Sequence, residues 1–419
     1  MGVFDFLKTK ASAAGRIMVM NPGRAQWTPR NYESFAKEGY QKNVVAYQAI
    51  NRVADAVSTA QWELWRDDKL IENVDHPLAQ LWSRPNPYMS NGEFLRAVIS
   101  YLLISGNSYP EAVTINGRPK ELWTHRPERM RVVPGGEGLP SAYLFSKDGR
   151  SVRWDVDPLT GRSDILHLKM FNPCDDWYGM SPLEAGAFAV DQHNESMTWM
   201  QALLQNSAQP SGALVMKEGN VLGDEQFARL QAQIEEDYSG SRNAGRPMLL
   251  EGGLDWKAMS MGPKDMLAMD TKFSSARDIS LAFGVPPQLL NIPGDNTYSN
   301  YKEARLAFYE DTVIPLMGYL LREFNMWFQE PFDGAEIRPN LDSIPAIADK
   351  RQDMWEMADK SADLTINERR AMKGYPPLEE LDGYEGETGN RLLTPASNAP
   401  DPGSAEEKSL LERLAYGPR

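Results

Sequence analysis

DEQFARLQAQIEEDY (Asp224–Tyr238), SGSRNAGRPMLLEGGLDWKAMSMG (residues 239–262) and PKDMLAMDTKFSSARDISLAF (Pro263–Phe283) follow one another without a gap, and their pattern decides the fold. In the first, Phe227, Leu230, Ile234 and Tyr238 recur every three or four residues, the spacing of one stripe on an α-helix. In the last, Met266, Met269, Phe273, Ala276 and Phe283 share one side, Gly284 supplies the stop, and Val285-Pro286-Pro287 prevents continuation. Between them, Gly240, Gly245, Gly252 and Gly253 punctuate a small insert, with a hairpin expected between Met248–Leu250 and Trp256–Met259. The result is a helix–insert–helix plan.

Downstream, the polar loop Asn291-Ile292-Pro293-Gly294-Asp295-Asn296-Thr297-Tyr298-Ser299-Asn300 leads into a third long helix, Asn300–Phe328, which Pro315 should kink. Residues 341–374 read as two shorter helices, the second opened by Thr365 with Glu368 at the capping-box position. Beyond Gly383 the chain is rich in Gly, Pro and Ser and is expected to be a mobile tail with a short helix at Ala405–Leu414. Upstream, Ser181-Pro182-Leu183-Glu184 places a cap, an N1 proline and an acidic N3 residue in order, opening a helix expected to reach Asn206. A strand at Ala213–Lys217 follows. In residues 107–170, β-branched and aromatic segments (Tyr109–Ile115, Met130–Val133, Ala142–Phe145 and Ile165–Lys169) alternate with turns at Asn116-Gly117, Gly135-Gly136, Asp148-Gly149 and Gly161, an antiparallel β region. Before it come a helix over Asn43–Ala60, a strand from Trp62, a short helix His76–Trp82 and a helix from Ser90, with Glu93, to Gly106. The fold class is α+β.

Composition narrows the function. With 419 residues, 42% hydrophobic and 24% charged, the chain can bury a core of two to four modules. No run nears twenty apolar residues, and Met1–Lys10 lacks the order of a secretory signal. Cys174 stands alone, so no disulfide closes within the chain and a reducing compartment is expected. The net charge of −14 disfavours gripping DNA over a whole surface, since phosphate binding relies on Lys and Arg; on charge alone it reads first as solubility, and it does not exclude a protein that lets DNA slide past.

Catalytic constellations do not assemble. His76, His125, His167 and His193 fall in four segments without metal-ligand spacing, each expected to serve structure. No P-loop and no G-x-S-x-G elbow occurs. Asp175-Asp176 are adjacent, and Asp265, Asp270 and Asp278 are spaced by five and eight, which does not stack carboxylates on one helix face. The acidic run Glu379, Glu380, Asp382, Glu385 and Glu387 reads as a solvated segment. No cofactor is expected.

Several short motifs together resemble one family. They are Asn43-Val44-Val45-Ala46-Tyr47-Gln48-Ala49-Ile50-Asn51, His76-Pro77-Leu78, Arg84-Pro85-Asn86-Pro87, Gly106-Asn107-Ser108-Tyr109 and Tyr178-Gly179-Met180-Ser181-Pro182-Leu183. Asn206 through Pro210-Ser211-Gly212, Phe283-Gly284-Val285-Pro286-Pro287-Gln288-Leu289-Leu290, Thr297-Tyr298-Ser299-Asn300 and Thr365-Ile366-Asn367-Glu368-Arg369-Arg370 complete the series. In this order, over Asn43 to Asp382, they resemble the portal (head–tail connector) proteins of tailed bacteriophages, in the branch of long-tailed phages and gene transfer agents.

The resemblance implies a portal fold with an α/β wing, a helical stem, a small β-containing clip, a kinked tunnel helix and a helical crown. By analogy, 1–42 is an N-terminal arm, 43–222 wing, 223–238 the descending stem helix, 239–262 clip and 263–284 the ascending stem helix. Residues 285–340 hold the tunnel loop and tunnel helix, 341–382 the crown and 383–419 the tail. The tunnel elements put Asp295, Asn296, Thr297, Tyr298, Asn300, Lys302 and Arg305 at the DNA channel. The clip puts Arg242, Arg246, Glu251, Asp255, Trp256 and Lys257 at the terminase and adaptor contact.

The family further implies a non-enzymatic ring of twelve copies at one capsid vertex, through which double-stranded DNA is packaged and ejected. Its partners would be the terminase large subunit, a head–tail adaptor, the major capsid or scaffold protein and non-specific DNA, with no membrane. Its location would be the virion, with assembly in the host cytoplasm. The alternatives are a metal-dependent nuclease using Asp175, Asp176 and His193, or another virion structural protein.

Overall fold

A computed structural model of the chain describes residues 29, 31–73, 75–205, 212–216, 225, 228–229, 254–258, 263–294, 298–361 and 364–373. The expected N-terminal arm before Pro29, most of the insert, Asp295–Thr297 and the tail lie outside these residues.

The core is built around two antiparallel-patterned helices, α1 (Val44–Ser58) and, after α2 (Pro77–Ser83), α3 (Asn91–Ser105). Ala46, Ala49, Ile50, Val53, Ala54 and Val57 of α1 and Phe94, Leu95, Val98, Ile99 and Leu102 of α3 are buried against each other, the i, i+3, i+4 stripe seen in the sequence. Ser90 and Glu93 close a reciprocal capping box on α3, and Gly106 ends it at φ 75°. Asn43 caps α1 through Oδ1, which accepts from Val45 and Ala46, while its Nδ2 donates to Asn194 Oδ1 at 3.0 Å and meets His193 Nδ1 at 3.2 Å. That contact requires His193 Nδ1 to be an unprotonated acceptor, and burial with Lys272 nearby lowers its pKa accordingly.

Strand β1 (Trp62–Arg66) pairs with β2 (Lys69–Leu70) on one side and, on the other, with β11 (Glu336–Pro339), far along the chain. The β region contains β3 (Asn107–Ile115), β4 (Arg118–His125), β5 (Met130–Pro134), β6 (Pro140–Lys147), β7 (Arg150–Asp155) and β8 (Leu168–Lys169). They form one sheet ordered β4-β3-β8 and another ordered β5-β6-β7, every pairing antiparallel as expected. Sequence reading omits β4 and β7, and extends the last strand back to Ile165, which makes only an isolated bridge to Glu111.

A second, smaller core of Tyr109, Met130, Val132, Tyr143 and Ile165 joins the two sheets. Here His167 stacks on Tyr109 with centroids 4.5 Å apart, and its Nε2 contacts Asn107 Oδ1 at 3.0 Å. Burial, helped by Lys169, pushes its pKa down to about 3. The unfolded chain therefore takes up a proton near pH 6.5 that the folded chain refuses until about 3. Stability present above about pH 6.5 is lost as pH falls through that window, at about 1 kcal/mol per pH unit for this site. His76 and His193, also lowered, act with the same sign. Melting temperature measured from pH 7 to pH 4 should fall, and His167→Gln, which keeps a donor for Asn107, should flatten the fall. An unchanged slope in that variant would remove His167 from the account.

Candidate channel elements and the arm

The arm is assembled by helix α4 (Ala187–Gln205), strand β9 (Gly212–Met216), strand β10 (Leu254–Ala258) and helix α5 (Pro263–Ala282). Gly186 abuts Ala282, Ser275 donates to Gln192, and Gly212 through Met216 stand opposite Ala258 through Leu254. Numbers rise on one side as they fall on the other, so α4 and α5 lie antiparallel and β9–β10 continues the same ladder. The helix along α5 is thus α4. Of the stretch 224–238, only Glu225, Ala228 and Arg229 are described, and they are helical. β10 takes β9 as its partner; Met248–Leu250, the partner expected from the sequence, lies outside the described residues. Helix α4 is preceded by a single turn, Pro182–Ala185, so the helix predicted from Ser181 is interrupted at Gly186.

Of the clip candidates, Asp255, Trp256 and Lys257 fall on β10, opposite Val215, Leu214 and Ala213. Arg242, Arg246 and Glu251 lie outside the described residues.

The end of α5 turns through Gly284 at φ 62°, a conformation that favours glycine, and a short 3-10 turn at Pro287–Leu290 follows. Arg277 donates to the Pro293 carbonyl at 2.7 Å, holding the start of the loop against α5. Asp295, Asn296 and Thr297 are not among the described residues. Tyr298 opens helix α6 (Tyr298–Ala307). Asn300 is half-buried, whereas Lys302 and Arg305 are exposed one turn apart on one face. Tyr301 beside them is exposed and accepts from Arg52 at 3.4 Å.

The long helix does not simply bend at Pro315. It widens into a π-helical segment, Phe308–Val313, before resuming as α7 (Ile314–Phe328), and Ile314 N–H donates to Tyr309 O, five residues back. Proline has no N–H and its ring crowds the carbonyl four residues earlier, and the wider turn accommodates both. Two contacts hold the wide turn. Thr312 Oγ1 donates to the Gly284 carbonyl at 2.6 Å, and Lys350 of helix α8 (Pro345–Lys360) pairs with Glu310. α7 is then locked into the core by Met317, Leu320, Phe324 and Phe328. Helix α9 (Ile366–Met372) packs on α8 behind the reciprocal Thr365–Glu368 box.

Two of the motifs singled out in the sequence meet in space. Gly179 N–H donates to Asn107 Oδ1 at 2.8 Å, Asn107 Nδ2 donates back to Gly179 O at 3.2 Å, and Met170 N–H donates to Gly106 O at 2.9 Å. The residues sequence reasoning missed are Asn107 as the centre of this knot, Thr312 at the π turn and the Asn43–His193–Asn194 triad. Asn43, Asn107 and Gly179 each stood within a quoted motif, but nothing in the sequence pointed to their partners.

The nuclease constellation does not come together. Asp175 spends its carboxylate accepting from the Trp177 and Tyr178 N–H groups, Lys169 takes the Asp176 carbonyl, and His193 faces Asn43 inside the core. Among the described residues, no group of three His, Cys, Asp or Glu could hold a metal ion, and no helix is long and apolar enough to cross a membrane.

Comparison with known proteins agrees with the geometry. Residues 44–374 match the family model described as phage portal protein. A Rickettsia bellii protein is 41% identical over 82% of this chain and 90% of its own length. The portal protein of Escherichia phage T5 is 24% identical, with 86% of each chain covered. Among solved structures, a chain from the neck of an empty gene transfer agent particle is 40% identical, with 85% of this chain and 96% of that one covered and a TM-score of 0.67. A portal protein of the HK97 family from Corynebacterium diphtheriae, 15% identical with 76% and 98% covered, shares the fold at a TM-score of 0.53. Members of the matched family are structural components of virions rather than enzymes. With its antiparallel arm and its long helix interrupted at a π turn, the chain belongs to the phage portal protein family.

Proposed function

We propose that twelve copies of the chain close a ring at one vertex of a virion head, forming the channel for packaging and ejecting double-stranded DNA. The observation that carries this reading is the α6–π–α7 helix. Its far half is anchored by Phe324 and Phe328, while its near half presents Lys302 and Arg305 to solvent just after the polar loop. Two cations per copy in a chain of −14 touch phosphates lightly and leave the duplex free to slide. A neck computed with C12 symmetry contains a chain 40% identical to this one, which supports the number of copies.

The antiparallel arm supports a division in which α4 and α5 are the stem and residues 206–262, with β9 and β10 at their base, are the clip. Asp255, Trp256 and Lys257 then sit where stem becomes clip. Terminase large subunit and head–tail adaptor would dock on the clip, and capsid or scaffold protein on the wing. The virion vertex is the final location and the host cytoplasm the place of assembly.

Negative-stain electron microscopy with mass photometry on the purified protein tests the ring. Closed rings of about a dozen subunits with a central hole are expected. A compact monomer at every concentration, persisting when scaffold or capsid protein is co-expressed, would sink the reading.

A further inference from the structure

Between the β1–β2 hairpin and α2 lies a cavity of about 540 Å³, walled by Trp62, Leu64, Ile71, Leu78, Trp82 and Ile337. The role of this chain as a ring subunit makes no use of it. Trp82 is only 5% exposed, yet its indole N–H has no acceptor, and the buried indole N–H of Trp62 has none either. Both N–H groups are closed off from solvent, so what the cavity offers an occupant is apolar and aromatic surface. Leu70, 47% exposed, extends the apolar surface. Glu63 and Glu72 add negative charge to the lining, and the hairpin and following turn carry Asp67, Asp68 and Asp75 against Arg66 and Lys69, with Asp68 paired to Arg338. The complementary occupant is a peptide with apolar anchors followed by basic residues.

The chain itself carries one. Residues 1–10, MGVFDFLKTK, set Phe4, Phe6 and Leu7 directly before Lys8 and Lys10. Residues 1–30 hold five basic side chains (Lys8, Lys10, Arg16, Arg24 and Arg30) against Asp5 alone, a net of +4 in a chain of −14. The 22 residues from Leu7 to Pro29 span up to about 75 Å when extended, more than the width of a compact domain of this size. We propose that residues 1–10 dock in this cavity of their own subunit, with Phe4 and Phe6 against Trp62 and Trp82. Lys8 and Lys10 face the Glu72 side. Because Trp82 also packs edge-on to Phe324, the docked segment would rest on the aromatic cluster that anchors the channel helix.

The test uses the full-length chain with Cys174→Ala, Leu7→Cys and Ser83→Cys, since Ser83 lines the cavity and is exposed. After mild oxidation and trypsin, which does not cut the Arg84–Pro85 bond, mass spectrometry should find the peptide 1–8 disulfide-linked to 70–96 in protein of monomer mass. Its yield should be about tenfold that of a control in which Ser151→Cys, on exposed β7, replaces Ser83→Cys; a disulfide needs Cα atoms within about 7 Å. Glu72→Lys should lower the yield several-fold, with the melting temperature confirming that each variant is folded. Equal yields at positions 83 and 151 would show a segment with no preferred seat. Linkage only in covalent dimers would assign the cavity to another copy's segment; either result overturns the proposal. Neither depends on whether the protein closes rings.

Discussion

Gly179→Ala is expected to destabilise the protein by about 3 kcal/mol or more and to collapse its soluble yield. A Cβ at this position would overlap the Gly106 carbonyl oxygen and lie 2.7 Å from both the nitrogen and the oxygen of Met170. All three are backbone atoms, fixed by Met170 N–H donating to Gly106 O and by the exchange of hydrogen bonds between Asn107 and Gly179. No rotamer change relieves such a clash, so one side of the knot must move, breaking bonds in a buried site where unmet donors are costly. Gly106→Ala should behave the same way, because its Cβ would lie 2.6 Å from Gly179 C and its φ of 75° is itself strained for alanine. Denaturant titration of both variants measures this. A loss under about 1 kcal/mol in each would show that the two segments separate more easily than the hydrogen bonds imply.

The second large effect is expected from Phe324→Ala, a loss of about 3–5 kcal/mol. Phe324 is fully buried and lies 5.2 Å from Trp82, 5.9 Å from Phe328 and 6.3 Å from Phe94, centroid to centroid. Removing its ring leaves a void among rigid aromatic neighbours that cannot collapse into it. Phe324→Leu, which keeps much of the volume, should cost clearly less. Because the side chain belongs to α7, the variant should also loosen that helix; urea melts read the stability, and amide exchange along residues 314–328 reads the loosening. Equal costs for alanine and leucine would mean that volume is not what the site requires.

Local chemistry was legible in the sequence, and long-range pairing was not. Ser90 with Glu93, Thr365 with Glu368, and Gly106 and Gly284 as stops are readable because each is settled within a few residues. β4 and β7 escaped because RPKELWTH and RSVRWD lack the alternation of a half-buried strand; β7 is an edge strand with almost every residue exposed. β11 holds four residues including a proline, and its partner β1 is more than 270 positions away. The arm illustrates the same limit. The 224–238 stripe is the more regular of the two possible partners for α5, whereas α4 carries Gln192, His193, Asn194 and Glu195 mid-helix. Those polar residues look unsuited to packing until Asn43 and Ser275 appear opposite them. Among the site residues, Lys302 and Arg305 could be placed on a helix and on one face from sequence alone, but which surface that face meets depends on the ring.

The wide turn at Phe308–Val313 sets the rotational phase of α6 against α7. An α-helix advances about 100° per residue, and a π turn holds one more residue than an α turn. The half bearing Lys302 and Arg305 is therefore rotated by about 100° from where an unbroken helical wheel drawn from the Met317–Phe328 half would put it. An alignment that treats residues 298–328 as one period will assign the wrong side chains to the exposed face. Conversely, loss of a single residue from this turn would turn the solvent-facing half about its axis while leaving the anchored half in place. Related proteins could thus present differently charged faces through one-residue insertions or deletions, with no change to their cores.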